Sequence, residues 1–247
     1  MPDQPYNRII SLVPSLTELL IDLGLKDQLV GRTRFCIHPE EDVREIEIVG
    51  GTKSPNLEKI IELEPDFILA NKEENREEDI EVLRAYTKVY VTEIGSVEDA
   101  LLEFSSLGKA LSVKDKAQNI VSEISSILSK APEVRELSVA YFIWKDPWMT
   151  VGKDTYIHNV LKHYNLDNVY SDRTRYPKTT LAKLASKNPD LILLSSEPFP
   201  FKEKHIQEIR GACPTAKIKL VNGEWFSWYG SRMMKAFEAL NTWRPEL

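Results

Sequence analysis

Cysteine is scarce in this sequence: Cys36 and Cys213 are the only two among 247 residues, one in each half. A disulfide joining the halves is not expected from so sparse a set, and two thiols do not fix a redox compartment. Histidine is equally thin, with His38, His158, His163 and His205. No C-x-x-C, H-E-x-x-H or other paired-ligand spacing is present, which argues against a dedicated protein-bound metal. The 10 glycines form neither a phosphate-cradling G-x-x-x-x-G-K-[ST] loop nor a G-x-G-x-x-G turn after a strand, and no G-x-S-x-G elbow occurs. Nucleotide-driven and serine-hydrolase chemistry lose their usual signatures. Basic charge is in deficit, 32 Lys and Arg against 38 Asp and Glu for a net charge of −6. With no basic stripe to neutralise phosphates, nucleic acid is not an expected partner. No apolar run approaches the roughly 18 residues a membrane span requires.

What is present is a repeat. Residues 57–69 read LEKIIELEPDFIL and residues 181–193 read LAKLASKNPDLIL. Leu57/Leu181, Lys59/Lys183, Pro65/Pro189, Asp66/Asp190, Ile68/Ile192 and Leu69/Leu193 are identical at a constant offset of 124 residues, half the chain. In each copy an apolar-periodic helix meets a Pro-Asp corner, where proline cannot continue the helix, and a short apolar strand follows. An αβ unit at equivalent points of two halves predicts two similar α/β lobes with parallel sheets, and a ligand cleft between them.

The rest of the chain fits that plan. Strands are expected at Arg8–Val13, Leu29–Gly31, Ile46–Val49 and Lys88–Val91, with a helix from Ser15 to a stop at Gly24. Helix 97–110 is followed by a capped restart at Ser112, with Asp115 three residues later. From there Val113, Ala117, Ile120, Val121, Ile124, Ile127 and Leu128 keep a helical stripe as far as Pro132. About 19 residues make a rod of roughly 28 Å, read as a rigid connector between the lobes. An ordinary packing helix within one lobe is the alternative. The expected organisation is an N-terminal lobe over 1–111, the connecting helix over 112–132 and a C-terminal lobe over 133–247. In the second half, strands are expected at Ser138–Trp144 and Ile218–Val221, and helices at Tyr156–Tyr164, near Lys204–Ile209 and at Ser231–Leu240.

Aromatics crowd the expected loops of the second half: Trp144, Trp148, Tyr156, Tyr176, Phe199, Phe201 and the cluster Trp225, Phe226, Trp228 and Tyr229 in GEWFSWYG. That cluster lacks strand or helix periodicity. It suits a flat apolar ligand or a partner surface, or else a mini-core under the loop. The acidic run Glu73–Asp79 reads as a solvated helix start.

Taken in order, RIISLVPSLTELL, LVGRTRFCIHPEE, VGGTKSPNLEKIIELEPDFILA, VGKDTYIHNVL, DNVYSDRTRYP, LAKLASKNPDLILLSSEPFPF and WFSWYGSR cover nearly the whole chain from Arg8. The ordered set resembles the substrate-binding proteins of ABC importers with a helical interlobe backbone, the group that takes cobalamin, siderophores, haem and some metals, and within it the cobalamin-binding proteins. The resemblance implies two lobes joined by one long rigid helix, little motion on binding, and no enzymatic activity. It also implies a cobalamin-like corrinoid or metal chelate as transported ligand, with no built-in cofactor. Phe35, Tyr176 and Trp225 match positions that surround the corrin ring, and Trp148 and Trp228 would add ring surface. Thr52 and Asn71 stand where cobalamin binders can show tryptophan. Glu77 and Glu203, one after each repeat, match the carboxylates that dock on a permease, where surface ion pairs orient more than they bind. The resemblance places the protein in the periplasm or on the outer face of the cytoplasmic membrane, as a monomer.

Three rival readings stay open at this point. MPDQPYNRIISLVPSLTELL has no basic n-region or cleavage-site pattern. Either Met1 is a cytoplasmic start, giving a corrinoid or metal-chelate carrier or sensor of the same fold, or a signal or anchor lay ahead of it. Cys36 with His38 could instead support an enzyme. The histidines could bind zinc or manganese directly.

Overall fold

The computed structural model describes residues 5–247. The chain divides into two compact units. The first holds the residues up to Ile94 together with Glu98–Ser125 and Tyr229–Met233. The second holds Gly95–Val97, Ser126–Trp228 and Met234–Leu247.

In the first unit the order is β1 (Ile9–Ser11), α1 (Pro14–Asp22), β2 (Leu29–Arg32), α2 (Glu40–Val43), β3 (Glu47–Ile48), β4 (Gly50–Gly51), β5 (Ser54–Pro55), α3 (Leu57–Glu62), β6 (Phe67–Asn71), α4 (Glu77–Arg84), β7 (Lys88–Thr92), α5 (Val97–Ala110) and α6 (Lys114–Leu128). Its main sheet runs β3-β2-β1-β6-β7 and is parallel throughout. The second unit contains β8 (Leu137–Trp144), β9 (Met149–Thr150), α7 (Tyr156–His163), β10 (Leu166–Asn168), α8 (Leu181–Lys187), β11 (Leu191–Ser195), α9 (Glu203–Ala212), β12 (Lys217–Val221), α10 (Glu224–Ser227) and α11 (Met233–Trp243). Its sheet runs β10-β8-β11-β12, again parallel, with β9 added antiparallel to β8. The orders β2-β1-β6-β7 and β10-β8-β11-β12 correspond, so both units are doubly wound in the same way. Ile10, Leu12, Ile60, Ile68 and Leu83 form part of one core, and Ala140, Phe142, Leu184, Ile192 and Ile209 part of the other.

The two copies of the repeat occupy equivalent places. Each helix has a side-chain cap: Asn56 accepts from the Lys59 amide at 3.0 Å, and Thr180 from the Lys183 amide at 3.2 Å. Each ends on a left-handed residue just before the proline, Glu64 at φ 46° and Asn188 at φ 43°. The aspartate that follows then ties down the neighbouring central strand. Asp66 accepts from the amides of Asn7 and Arg8 at 2.7 and 2.9 Å. Asp190 accepts from the Ser138 amide at 2.9 Å and its hydroxyl at 2.7 Å. The repeated Pro-Asp is thus a strand-registering clamp as well as a helix stop.

The connector differs from expectation. Ser112 is no N-cap: at φ 56° it closes α5, with the Val113 amide donating back to Gly108 O at 2.8 Å. Helix α6 therefore starts at Lys114 and has 15 residues, about 22 Å. The unit boundary falls inside α6, between Ser125 and Ser126, rather than at its ends. The chain also re-enters the first unit over Tyr229–Met233. There Arg232 forms a bidentate pair with Glu18, at 2.7 and 2.8 Å, with Glu18 buried. Gly230, at φ 101°, permits this approach, since a Cβ there would stand 2.6 Å from Ser15 O.

Replacing Asp66 or Asp190 by Ala should cost about 1–2 kcal/mol each in urea unfolding, as expected for exposed hydrogen bonds to a charged acceptor. The Ser138 hydroxyl and then its amide hold the Asp190 carboxyl below the ordinary range. Its stabilisation is therefore complete above about pH 4 and is lost as pH falls through the depressed folded value. The stability gap between wild type and Ser138→Ala should accordingly narrow in acid.

Candidate functional site

Parallel strands place their C-terminal ends along one edge of each sheet, where open α/β sheets bind ligands. In the second unit that edge carries an aromatic turn. The Gly223 amide donates to Ser196 Oγ at 2.9 Å after β12, and residues 224–227 wind into the single turn α10 instead of the expected loop. One helical turn sorts the aromatics. Phe226 points inward, fully buried against Tyr141 and Trp243, while Trp225 and Trp228, three residues apart, stay half-buried. Tyr229 is buried too. The cluster is therefore half mini-core and half presented surface.

The Trp228 indole N–H donates to Glu197 Oε1 at 2.8 Å, and the Ser227 hydroxyl reaches the same oxygen at 2.8 Å. Glu197 is itself placed by the end of β11. The Ser195 hydroxyl donates to Glu197 O at 2.6 Å and accepts a hydrogen bond from the buried Tyr141 phenol at 3.1 Å. Burial pushes that phenol's pKa well up, so it stays a donor. Gly223 has no room for a side chain, as a Cβ would lie 2.4 Å from Ser195 Oγ and 2.5 Å from Glu197 Cγ. Glu197, which the sequence reading did not single out, is the buttress of the turn.

The other sequence-derived residues separate by unit. Phe35 follows β2 in the first unit and is 53% exposed, with the Arg34 guanidinium 5.6 Å from its ring centre. Tyr176 lies after β10 in the second unit and is exposed, with Arg175 at 5.8 Å. Trp148 has no free ring face. It is buried, stacked on Phe201 at 5.9 Å and 11°, edge-on to Phe142, with Lys145 Nζ 5.5 Å from its ring. Its strand-turn position turns it into the core, which corrects the expectation that it offers a ligand surface. Asn71 is buried with its amide donating to Thr92 and its oxygen accepting from the Glu73 and Glu74 amides. Glu77 and Glu203 are exposed first residues of α4 and α9, one in each unit.

Nucleophilic chemistry finds no support at Cys36. Its thiol is fully buried, receives a hydrogen bond from Thr17 Oγ1 at 3.0 Å and lies 3.1 Å from Thr33 Oγ1. Desolvation raises its pKa, which disfavours thiolate. His205 is likewise committed: its Nδ1 accepts from the Lys202 amide at 2.9 Å, and burial, then Lys204 and Lys145, lower its pKa. Among the described residues no three His, Cys, Asp or Glu side chains converge to hold a metal ion, and no helix is long and apolar enough to cross a membrane. Neither Cys36 nor Cys213 should react with a thiol-specific disulfide reagent in the folded protein, and both should in denaturant. Rapid labelling of folded Cys36 would contradict its packing.

A family model described as "Periplasmic binding protein" matches residues 9–217. An uncharacterized ABC transporter substrate-binding lipoprotein of Bacillus subtilis is 31% identical over 199 residues, which are 75% of this chain and 62% of that protein's length. The periplasmic vitamin B12-binding protein of Vibrio cholerae superposes with a TM-score of 0.83 at 22% identity, covering 98% of both chains. The apo form of a periplasmic haem-binding protein from Roseiflexus sp. RS-1 gives 0.85 at 17% identity, covering 97% of this chain and 98% of that one. At such identities the structural likeness is one of fold, that of two-lobed binding proteins. By the match over 9–217, this chain belongs to the periplasmic binding protein family.

Proposed function

We propose that this chain is the substrate-binding protein of an ABC importer. It captures a cobalamin-like corrinoid, or a similar flat metal chelate, outside the cytoplasmic membrane and hands it to a permease. The observation that carries the reading is the turn over 223–228, where Glu197, placed by the buried Tyr141 and Ser195, holds Trp228 by its indole N–H, and Trp225, three residues earlier, stands edge-on to Trp243. Fixed, half-exposed indoles at a strand C-terminal edge suit a planar apolar ligand, because their rotamer entropy is already lost before binding. Phe35 and Tyr176 supply further ring surface, each at the corresponding edge of its own unit. Trp148 contributes by packing under β8 rather than by touching the ligand.

The B12-binding and haem-binding relatives frame the choice of ligand. Titration with cyanocobalamin, haemin and a ferric siderophore, read by tryptophan quenching, decides it. We expect saturable quenching by cyanocobalamin at micromolar or lower concentration, weakened roughly tenfold or more by Trp225→Ala or Trp228→Ala, as for loss of an aromatic anchor of over 1.4 kcal/mol. Saturation by haemin alone would replace the ligand and keep the importer reading. Silence with all three would end it.

Glu77 and Glu203 are the proposed docking carboxylates, each an exposed helix-start residue after one copy of the repeat, acting on the permease as steering charges. The double variant Glu77→Ala with Glu203→Ala should bind ligand normally and fail in uptake by cells dependent on this importer. Normal uptake would remove both residues from the docking role. The protein works as a monomer in this scheme.

A further inference from the structure

The two docking carboxylates proposed above stand on unlike ground. Glu77 and Glu203 follow corresponding strands, β6 and β11, but the loops that lead to them share little. Residues 72–76 of the first unit read KEENR and contain no aromatic, whereas residues 196–202 of the second read SEPFPFK. The acidic character of the first loop continues into α4 as Glu77, Glu78 and Asp79. Its cations are already engaged, Lys72 with Glu93 at 2.5 Å and Arg76 with Asp79 at 3.5 Å and Glu78 at 3.6 Å. Glu203 instead sits between the exposed Lys202 and Lys204, which offset its charge.

What the second unit has is a platform of rings. Trp144, the last residue of β8, is 40% exposed and stands edge-on to Phe199, their ring centres 5.7 Å apart. Phe199 in turn meets the His205 ring at 5.4 Å. His205 lies in the first turn of α9, two residues after Glu203, and the Lys202 amide fixes its Nδ1 at 2.9 Å. Two ring contacts therefore lead from Trp144 to the helix start that bears Glu203. Backbone holds the platform as well: the Phe199 amide donates to Ile143 O at 3.3 Å. Pro198 and Pro200, on either side of Phe199, restrict the loop and are exposed. The first unit has no counterpart. Ile9 pairs with Phe67 and Val139 with Leu191, which makes Pro14 the equivalent of Trp144, and at Pro14 the chain has already turned into α1.

A specific interface covers roughly 800 Å² on each partner, a patch about 30 Å across. A partner seated on Glu203 thus covers Trp144 too. The two faces then act at different stages. Unscreened like charges, as at the head of α4, attract a cationic partner from a distance and set the rate of encounter. A rigid tryptophan that loses its water on contact sets how long the complex lasts, because hot-spot rings act on dissociation.

We propose that the two units divide the docking on the permease: the acidic head of α4 steers the encounter, and Trp144 with Phe199 forms an apolar anchor beside Glu203 that holds it. The permease surface that receives Glu203 is accordingly apolar at its margin. This rests on the importer reading above and specifies its partner surface. Association and dissociation rates of the ligand-free protein are measured on the importer in lipid nanodiscs, at low and high sodium chloride. The variants are Glu77→Gln, Trp144→Ala, Trp144→Gln and Trp144→Phe, with thermal melts and titrations with cyanocobalamin and haemin as controls. Trp144→Ala should dissociate roughly tenfold faster at both salts with little change in association. Trp144→Gln, which keeps bulk without the apolar ring, should match it and carries the test if the alanine variant melts early. Trp144→Phe should recover most of the loss. Glu77→Gln should slow association roughly 2- to 5-fold at low salt only and leave dissociation unmoved. Wild-type dissociation by both Trp144→Ala and Trp144→Gln overturns this inference, as does dissociation of Glu77→Gln as fast as theirs. Weakened chelate binding by folded Trp144→Gln also overturns it, because the ring would then belong to the ligand site. Each of these leaves the importer function standing. Failure of the wild type to bind the importer at either salt overturns both.

Discussion

Parallel strand pairing is the constraint from which the rest of the structure follows. Parallel neighbours cannot be joined by a tight turn, so each return needs a crossover, here mostly a helix. The crossovers bring every parallel strand out at the same edge of its sheet, and the segments bearing Phe35, Tyr176, Glu197 and the turn 223–228 all leave from that edge of their own unit. The requirement falls hardest on the central strands β1 and β8, which must be paired on both sides in register. Asp66 and Asp190, just before β6 and β11, meet it by accepting the amides of Asn7 and Arg8 ahead of β1 and of Ser138 near the start of β8.

The two units solve the same problems with different chemistry. Asp66 takes two amides, whereas Asp190 takes one amide and one hydroxyl. At the far ends of β6 and β11 stand Asn71 and Ser195, again equivalent, and both buried. Each holds the loop that follows: Asn71 Oδ1 accepts the Glu73 and Glu74 amides, and Ser195 Oγ bonds the backbone of Glu197. A buried polar strand end is costly unless satisfied, and satisfying it with the next loop fixes where that loop goes. Loops so fixed lead to Glu77 in one unit and to the Glu197 buttress and Glu203 in the other.

A different device acts where the chain re-enters the first unit. Glu18 and Arg232 are 214 residues apart in sequence, and their bidentate bonds bury an ion pair that would be expensive to leave half-made. Arg232 lies four residues after Trp228 in the sequence.

The doubled αβ unit, its helix stops and its Phe-Ile-Leu and Leu-Ile-Leu strands were legible in the sequence because they depend on local periodicity and on proline geometry. So were the two-unit α/β class and the absence of nucleotide and hydrolase motifs. Tertiary structure alone decided that Trp148 faces a core while Trp225 and Trp228 do not, since an aromatic's exposure depends on which non-local side chains fill its flanks. It alone paired Glu18 with Arg232 and Glu197 with Trp228, contacts between residues 214 and 31 positions apart that no local pattern encodes. Ser112 makes the same point at short range: its spacing to Asp115 suits a helix cap, yet the close of α5 onto Gly108 takes it first, because a backbone already committed to one helix end cannot also begin the next.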